Sequence, residues 1–357
     1  MDILILSPYD ALSHQYWRRG LVDLLSEHRF TVADLPARHF SWRFRGNSLT
    51  LAHSIPLQKR YDLVIATSMT DLSALKGMNK YAANTPSILY FHENQFAYPD
   101  DSSHVVERQM TSIYSAVAAD RLVFNSFFNQ TSFLDGAKSL LKRMPDGVPE
   151  GIVSSLSAKS EVISVAIQPD SLVSGTSGAQ MEKKKEGQID IVWNHRWEYD
   201  KGTLELQRLL EALPQTLNYQ FHLIGQSFRT IPPEIDRIRE FLTHKGRLGQ
   251  FGFIKDKEQY FSLLQHCDLV LSTARHEFQG IAVLEAVQAG CLPVVPDDLA
   301  YKEFIPAEFR YKNHEQAISL ILKFASNALP QSIRLPPEVG VEAVQKAWRD
   351  SISKLIT

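Results

Sequence analysis

The segment TARHEFQGIAVLEAVQAG, from Thr273 to Gly290, concentrates residues whose types and spacing suit ligand chemistry. Gly280 can begin a helix after a buried strand, and the free amides of Ile281, Ala282 and Val283 would then point at a ligand. Backbone amides at a helix start bind phosphate groups without a cation, because the N–H groups and the helix dipole favour negative charge. The alanines of this helix keep it slim, so that backbone and ligand can approach closely.

Two glutamates, Glu277 and Glu285, lie on either side of this helix start. Glu285 is two turns inside the helix and can accept hydrogen bonds from vicinal hydroxyls, such as those of a ribose. Glu277 precedes the helix and can meet the sugar end of the same ligand. Ordinary capping by acidic residues near a helix start explains Glu277 well. It explains Glu285 poorly, because apolar neighbours on both sides predict a buried stretch, so a ligand-binding role is favoured.

A second junction between a strand and a helix, RWEYDKG, follows the apolar run IDIVWNH and carries two cations. Arg196 and Lys201 lie five positions apart, and Gly202 can open the next helix. The two cations suit a diphosphate, with the guanidinium as a fork and the ammonium as a point charge. A basic pair in a surface loop is usually solvated. Together with the helix start and its glutamates, however, the pair predicts a site for a nucleotide diphosphate sugar.

These junctions need a scaffold that brings strand ends together, and the apolar pattern predicts one. Short apolar runs alternate with amphipathic helical patterns, which is typical of parallel sheets covered on both faces. The predicted fold class is α/β, with two facing doubly wound Rossmann-like domains and an interdomain cleft at the carboxyl ends of the strands. The predicted strands are 3–7, 31–35, 62–67, 87–94, 121–126, 161–167, 189–195, 220–226, 248–254, 268–274 and 291–296, and the predicted helices are 15–27, 103–119, 127–142, 202–213, 256–266, 280–290, 314–325 and 341–356.

A stretch rich in Ser, Gly and Lys separates the two halves and predicts a linker, because it lacks periodicity. The predicted divisions are an N-terminal domain at 1–170, a linker at 171–188, a C-terminal domain at 189–335 and a final helix at 336–357. The final helix is amphipathic and can pack on either domain, including back on the N-terminal one.

Composition places the chain among globular proteins. A net charge of −2 does not indicate a nucleic-acid binder as a whole, so a polyanion partner needs a local patch. No apolar run reaches the roughly 18 residues that cross a bilayer, and the chain opens on an apolar strand rather than on a signal peptide. Cys267 and Cys291 lie in apolar segments and are expected to be buried thiols, which suits a reducing cytoplasm.

Polar side chains also follow strands of the first half. His92, Glu93 and Asn94 end one predicted strand, where a histidine can hydrogen-bond a sugar hydroxyl or carry a proton. The alternative for this histidine is a satisfied position in the core. Asn125 and Ser126 end the next strand and either reach the same ligand or cap a helix.

The segment PARHFSWRFR, 36–45, combines three arginines and three aromatic residues with no acid. Single-stranded RNA is bound by this mixture, with guanidinium groups on phosphates and aromatic rings under splayed bases. The alternative is a loop whose aromatic residues pack inward. The candidate RNA-binding side chains are those of Arg38, Trp42, Arg43 and Arg45.

These motifs resemble those of a known family. Arg196 with Lys201, and Glu277 with Glu285, look like the donor-site motifs of the family 4 glycosyltransferases, which have the two-domain GT-B fold. Five segments are similar, more narrowly, to the tRNA-queuosine α-mannosyltransferases, in the same order over nearly the whole chain: PARHFSWRFR (36–45), ILYFHENQFAYP (88–99), VFNSFFN (123–129), WNHRWEYDKG (193–202) and STARHEFQGIAVLEAVQAGCLPVVPDDLAYKEFIP (272–306).

The resemblance implies transfer of mannose from GDP-mannose to the cyclopentenediol of queuosine at the wobble position of tRNA-Asp, with retention at the anomeric carbon. In the C-terminal domain, Arg196 and Lys201 would hold the diphosphate. Glu285 would hold the ribose, and Glu277 would face the mannose. The N-terminal domain would bind the tRNA. The implied catalytic residues are Arg196, Lys201, Glu277 and His92.

The resemblance also implies catalysis without a metal or another cofactor, since cations and helix amides neutralise the leaving diphosphate. The leaving phosphate oxygen takes the proton of the acceptor hydroxyl, so no strong general base is required. The loop after the first strand departs from the family, because Asp10, Ala11 and Leu12 stand where relatives tend to carry paired glycines. Ser13 and His14 remain there as acceptor candidates.

Two other functions remain open. A glycosyltransferase with another nucleotide-sugar donor could act on a lipid or polysaccharide at a membrane surface. It would usually carry a basic amphipathic helix in its first domain, for which 130–144 is a short candidate. A non-catalytic nucleotide-sugar or RNA-binding module would be expected to lose the donor-site set, which is intact here. We therefore expect a cytoplasmic tRNA-modifying enzyme without a membrane partner, and the sequence leaves its protein partners unknown.

Overall fold

The computed structural model describes residues 1–97, 105–168, 187–227, 230–327 and 332–356. The chain divides into two compact units. Unit 1 is Met1–Ala166 with Glu338–Thr357, and unit 2 is Ile167–Pro337. Positions 171–186 of the predicted linker, and positions 103 and 104 of one predicted helix, lie outside the described residues.

Unit 1 is built on a parallel sheet of six strands. The strands are β1 (Asp2–Asp10), β2 (Arg29–Pro36), β3 (Leu63–Thr67), β4 (Ser87–Phe91), β5 (Arg121–Phe124) and β6 (Ser160–Val162). Their order in the sheet is β2-β1-β3-β4-β5-β6, so the strand order reverses between β1 and β3. Ligands of such open sheets bind outside the carboxyl ends of the strands at this reversal.

Within residues 1–97 and 105–166, seven helices accompany these strands. They are α1 (Leu12–Leu24), α2 (Phe40–Ala52), α3 (Leu72–Met78), α4 (Lys80–Ala83), α5 (Val105–Ala118), α6 (Phe127–Lys142) and α7 (Ile152–Ala158). The sequence predicted α1, α5 and α6 and missed the other four. The alternative of a loop at 36–45 is wrong, because the chain is helical from Phe40 onward. Phe44, Ser48 and Leu51 form the buried face of α2 at helical spacing.

Unit 2 also contains a parallel sheet of six strands. They are β7 (Ile189–Asn194), β8 (Tyr219–Ile224), β9 (Leu248–Gly252), β10 (Leu269–Leu271), β11 (Leu292–Pro296) and β12 (Arg310–Tyr311). Their order is β12-β11-β10-β7-β8-β9, so the strand order reverses between β7 and β10. This is the strand order of the Rossmann fold, whose ligands bind at the reversal.

In the described part of unit 2, six helices accompany the strands. They are α8 (Thr203–Ala212), α9 (Pro233–His244), α10 (Lys257–His266), α11 (Ile281–Ala289), α12 (Tyr301–Phe304) and α13 (His314–Ala325). The four helices predicted from the sequence, α8, α10, α11 and α13, are confirmed within one or two residues. The sequence analysis missed α9, although Ile235, Ile238 and Leu242 are buried at helical spacing on one of its faces.

Both cysteines are buried thiols that form no disulfide, as the sequence predicted. Cys291 Sγ donates to the carbonyl oxygen of Leu264 at 3.1 Å. This contact ties the start of β11 to the last turn of α10, so the thiol serves packing in unit 2.

The final helix, α14 (Val341–Ile356), packs within unit 1. Trp348 is 1% exposed, and its ring centroid lies 5.6 Å from that of Tyr90 and 6.3 Å from that of Trp17. Gln345 donates to the carbonyl oxygen of Leu24 at 2.6 Å. The end of the chain therefore completes the core that its beginning builds.

Truncation of Trp348 to Ala should destabilise unit 1 by about 3–5 kcal/mol, the usual cost of removing a large aromatic side chain from a core. Urea unfolding followed by circular dichroism measures this change. Lys354→Ala, on the exposed face of the same helix, is the matched control and should change the free energy of unfolding by less than about 0.5 kcal/mol. Similar values for the two variants would contradict the core position of Trp348.

Candidate functional site

The loops that follow β7 and β10 meet where the strand order of unit 2 reverses. Gly202 ends the first loop with φ 69°, and a Cβ atom there would lie 1.9 Å from the carbonyl oxygen of Thr273. The Thr273 hydroxyl donates to the carbonyl oxygen of Lys201 at 3.0 Å and accepts from the indole of Trp193 at 3.1 Å. Only glycine fits at position 202, because the backbone there is left-handed and a Cβ atom would clash with the backbone of Thr273.

The ammonium of Lys201 is buried in this arrangement, with 6% of the residue exposed. It donates to Glu277 Oε2 at 3.0 Å and to the carbonyl oxygen of His276 at 2.8 Å, and it lies 3.4 Å from the Asp200 carboxylate. A buried charge is tolerated only where fixed partners compensate the loss of water. Two of the predicted donor residues, Lys201 and Glu277, are therefore direct partners.

The surroundings set the charges of Glu277 and His195. Burial would raise the pKa of Glu277, but the positive charge of Lys201, its hydrogen bond to Glu277 and the charge of Arg196 outweigh this effect and lower that pKa to about 2. Burial, followed by the charge of Lys201, lowers the pKa of His195 to about 4. At neutral pH the site therefore contains a carboxylate at Glu277 and a neutral imidazole at His195.

His195 is a candidate site residue that the sequence analysis missed. It directly follows β7 and is 3% exposed, and its Nε2 atom has no hydrogen-bond partner within the part of the chain that the structure describes. Buried polar side-chain atoms are normally paired, so this nitrogen is available to a ligand group. The signal was present in the sequence, because His195 lies between the strand and Arg196, where functional residues of such sheets are found.

Arg196 belongs to the same network through Asp200. Its side chain is 42% exposed, and it forms ion pairs with Glu198 at 2.7 Å and with Asp200 at 3.5 Å. Because Asp200 also lies beside Lys201, the two predicted cations share one carboxylate. Exposed ion pairs contribute at most about 1 kcal/mol, so a phosphate group can replace Glu198 at little cost.

The helix start predicted at Gly280 is confirmed. Gly280 has φ 80°, and the first hydrogen bond of α11 runs from the amide of Leu284 to the Gly280 carbonyl oxygen. The amides of Ile281, Ala282 and Val283 therefore have no acceptor inside the helix. They directly follow the loop that carries Glu277, so amides and cations occur at one edge of unit 2.

Glu285 lies further along α11 and is half-buried. Its Oε2 atom accepts a hydrogen bond from the Tyr260 hydroxyl at 3.0 Å. Burial raises the pKa of Glu285 to about 7, against the Tyr260 hydrogen bond and the Lys257 charge, which act to lower it. The two glutamates of this segment therefore differ in charge, since Glu285 titrates near neutral pH.

The acidic groups at this edge are engaged by cations. Glu277, Glu198 and Asp200 pair with Lys201 and Arg196. Among the described residues, no set of three or more His, Cys, Asp or Glu side chains is arranged to hold a metal ion. What the edge offers a ligand is cations and free amides, which suit a molecule that carries phosphate.

The reversal point of unit 1 brings several predicted acceptor residues together. His14 Nε2 lies 3.3 Å from Glu93 Oε2, and the hydroxyl of Ser68 donates to the other oxygen of Glu93 at 3.3 Å. The ring of His14 stacks on that of His92 at 4.1 Å, and burial, followed by His14, lowers the pKa of His92 well below its usual value. The sequence analysis missed Ser68, although it directly follows β3. Ser13 is exposed on α1.

Three other predicted acceptor residues, Asn94, Asn125 and Ser126, belong to a buried hydrogen-bond network around Asn129. Asn94 donates to Asn129 Oδ1 at 2.9 Å and accepts from the backbone of the loop that follows it. Asn125 donates to the carbonyl oxygen of His92 and accepts from Asn129, and Ser126 caps α6. Each is at most 4% exposed. These side chains therefore hold the strand ends, and Ser126 takes the capping role that the sequence offered as an alternative. Their contact with the acceptor stays a prediction.

The four predicted RNA-binding residues occupy different environments. Arg38 is exposed before α2, and Trp42 is 57% exposed on its first turn. The Trp42 indole covers Gly46, where a Cβ atom would lie 2.7 Å from the ring. Arg43 is half-buried, and Arg45 donates to a hydroxyl of α5 at 2.8 Å. Arg38, Trp42 and Arg45 are therefore all exposed, and of these three Arg45 is the one whose side chain is tied to α5.

Two family models match the chain. Residues 2–167 match the family described as tRNA-queuosine alpha-mannosyltransferase N-terminal, and residues 179–331 match glycosyl transferases group 1. The tRNA-queuosine alpha-mannosyltransferase of Drosophila melanogaster is 32% identical over 331 residues, which are 90% of this chain and 86% of that protein. The GDP-mannose:cellobiosyl-diphosphopolyprenol alpha-mannosyltransferase of Xanthomonas campestris is 31% identical over 104 residues, which are 29% of this chain and 27% of that protein.

Solved structures of low sequence identity share the fold. Anabaena HepE in complex with UDP has a TM-score of 0.66 at 17% identity, over 99% of this chain and 100% of that chain. A UDP-forming α,α-trehalose-phosphate synthase from Burkholderia xenovorans has a TM-score of 0.69 at 12% identity, over 100% and 99%. The fold is therefore GT-B. With the Drosophila relationship extending over 90% of its length, the chain belongs to the tRNA-queuosine alpha-mannosyltransferase family and is a glycosyltransferase.

Proposed function

We propose that the protein transfers mannose from GDP-mannose to the cyclopentenediol of queuosine at the wobble position of tRNA-Asp, with retention at the anomeric carbon. The observation that carries the donor half is the buried ammonium of Lys201, bonded to Glu277 and joined to Arg196 through Asp200. Membership of the family supports the acceptor half. The proposal includes the cytoplasmic location that the sequence predicted.

The donor diphosphate would be held by Arg196, Lys201 and the free amides of α11. Arg196 would exchange the exposed Glu198 for a phosphate group, because guanidinium–phosphate contacts are charge-assisted and often bidentate. The buried Lys201 would add its charge without a large change of position, since its three acceptors fix it already. Ribose hydroxyls would be accepted by Glu285.

Glu277 would act as a carboxylate and not as an acid, since its pKa of about 2 keeps it ionised at neutral pH. It would accept hydrogen bonds from mannose hydroxyls and favour positive charge on the sugar ring. The bond from the anomeric carbon to the diphosphate oxygen breaks, and the acceptor oxygen bonds to that carbon on the same face. The departing phosphate oxygen takes the acceptor proton. Stabilisation of the departing negative charge is then the main contribution of the protein.

The acceptor diol would be bound by the group formed by His14, His92 and Glu93 in unit 1. Glu93 can accept a hydrogen bond from a diol hydroxyl while Ser68 and His14 hold its carboxylate. Arg38 would contact a phosphate of the anticodon loop. The exposed indole of Trp42 offers a face on which an unpaired base can stack.

A lipid-linked acceptor is less well supported. The candidate membrane-binding helix at 130–144 corresponds largely to α6, whose Phe133, Ala137 and Leu140 are buried in the cores of unit 1. Its apolar face is therefore occupied. None of the described helices combines the length and the apolar character needed to span a membrane. The similarity to the Xanthomonas campestris protein covers 27% of that protein.

Lys201→Ala and Arg196→Ala should each lower mannosyl transfer by about 100-fold or more, because the departing diphosphate loses a counter-charge. Arg196 is the safer variant for folding, since its side chain is half-exposed. Glu285→Ala should raise the KM for the donor, because the ribose hydroxyls lose their acceptor.

Transfer to queuosine-containing tRNA is measured with labelled mannose, and circular dichroism checks the fold. Lys245→Ala, an exposed lysine of the same unit, is the control. Near-normal transfer by folded Lys201→Ala and Arg196→Ala would exclude the donor assignment.

Incubation of the protein with queuosine-containing tRNAs and a panel of nucleotide sugars tests donor and acceptor together. The tRNAs are then digested and their nucleosides are weighed by mass spectrometry. We expect a hexose increment on queuosine with GDP-mannose alone, and on tRNA-Asp alone. An increment with another nucleotide sugar would reject the proposed donor, and an increment on a different queuosine tRNA would reject the proposed tRNA.

Gly46→Ala should weaken tRNA binding although Trp42 itself is not mutated. The new Cβ atom would meet the indole at 2.7 Å, so the ring must leave its position on α2. Loss of one stacked base corresponds to about 5–150-fold in affinity, and Trp42→Ala should show a similar loss. Gly77→Ala in α3 is the matched control, because nothing lies within 4 Å of its added atom.

Filter binding of queuosine-containing tRNA provides the measurement for these variants, and GDP affinity should stay at the wild-type value. If Gly46→Ala and Trp42→Ala bind tRNA as tightly as Gly77→Ala, the indole makes no RNA contact.

A further inference from the structure

A chain of hydrogen bonds joins β7, α10 and α11 at the proposed ribose carboxylate. Asn194 is the last residue of β7, and its Nδ2 atom donates to the Tyr260 hydroxyl at 3.1 Å and to the carbonyl oxygen of Ala282 at 2.7 Å. The Tyr260 hydroxyl donates in turn to Glu285 Oε2 at 3.0 Å. Asn194 is 6% exposed, so this series of hydrogen bonds begins in the interior of unit 2 and ends at the Glu285 carboxylate.

The direction of each hydrogen bond follows from the chemistry of the groups. The Ala282 carbonyl oxygen can only accept, so the Asn194 atom that faces it must be the amide nitrogen. That nitrogen can only donate, so the oxygen of Tyr260 must accept from it. The phenol hydrogen is therefore directed to Glu285. Asn194 thus sets the rotation of the Tyr260 hydroxyl.

We infer that Tyr260 is a positioning residue for donor recognition, which holds Glu285 so that its Oε1 atom meets the vicinal hydroxyls of the donor ribose. The inference rests on the proposed role of Glu285. Tyr260 occupies Oε2, and Oε1 accepts no hydrogen bond from any residue that the structure describes. A carboxylate held at one oxygen has lost rotamer freedom before it meets a ligand, which lowers the entropic cost of binding.

The same contact governs the charge of Glu285. Burial raises its pKa to about 7, whereas the Tyr260 hydrogen bond and the Lys257 charge, both from α10, lower it. Asn194 on β7 and the Ala282 carbonyl are uncharged. Because the ionised carboxylate is the better acceptor for two hydroxyls, preference for a ribose should develop as the pH rises through about 7. Loss of the phenol hydroxyl removes a group that lowers the pKa, so the preference should then develop at higher pH.

Binding of GDP and of its 2′,3′-dideoxy analogue, measured by calorimetry between about pH 6 and 9, tests this inference. The ratio of the two affinities isolates the ribose hydroxyls and cancels the titration of the phosphates. The wild-type protein should favour GDP by about 10-fold above neutral pH, the value of hydrogen bonds to a charged group. Tyr260→Phe should show a smaller preference, with its midpoint at higher pH. Tyr219→Phe removes a buried hydroxyl that has no partner among the described residues, and it should match the wild type.

Each contrary result points to a different error. A wild-type pH midpoint in Tyr260→Phe, or an equal loss of affinity for both ligands, would overturn the positioning role. Equal affinity of the wild-type protein for the two ligands at every pH would contradict the role of Glu285, and the inference with it. Failure of the wild-type protein to bind GDP would contradict the proposed donor base. It would then also contradict the proposed role of Glu285 and the inference about Tyr260.

Discussion

Burial of the Lys201 ammonium constrains the whole donor edge of unit 2. A buried cation must meet fixed acceptors, and here they come from two loops. Asp200 lies beside Lys201 in its own loop, whereas Glu277 and the His276 carbonyl come from the loop after β10. The two loops can approach only because Gly202 has no Cβ atom where the backbone of the other loop passes. One backbone contact therefore determines whether cation and carboxylate meet.

The titratable groups near this contact differ in their pKa values and therefore in their charge at neutral pH. Glu277 lies beside cations and has a pKa of about 2, whereas Glu285 faces a phenol, is partly desolvated and has a pKa of about 7. His195, buried beside Lys201, has a pKa of about 4 and stays neutral. The environment thus makes two glutamates of one segment chemically different, since nearby charge and desolvation act in opposite directions. Such a difference suits the proposed site, in which Glu277 contacts the mannose and Glu285 binds the ribose.

The polar side chains of unit 1 fall into two groups, those that hydrogen-bond within the core and those that lie where a ligand is expected. Asn94, Asn125 and Ser126 form hydrogen bonds with Asn129. This network anchors the ends of β4 and β5. His14 and Glu93 lie at the reversal of the strand order instead, where a ligand of such a sheet is expected. In α2 a glycine supports an exposed indole. Recognition of the tRNA, as proposed, therefore depends on a few groups that the core does not use.

The sequence by itself determined the alternation of strands and helices, the segments after β7 and β10 as the chemical ones, and the family, because periodicity and motifs are local. It did not determine that 40–52 is helical, since aromatic residues at 40, 42 and 44 hide the helical period. Only the tertiary structure decided that Lys201 meets Glu277, 76 positions away, that Ser126 caps a helix, and that Tyr260 holds Glu285. The physical reason is that partners and desolvation, which set hydrogen bonds and pKa values, arise from contacts between distant segments.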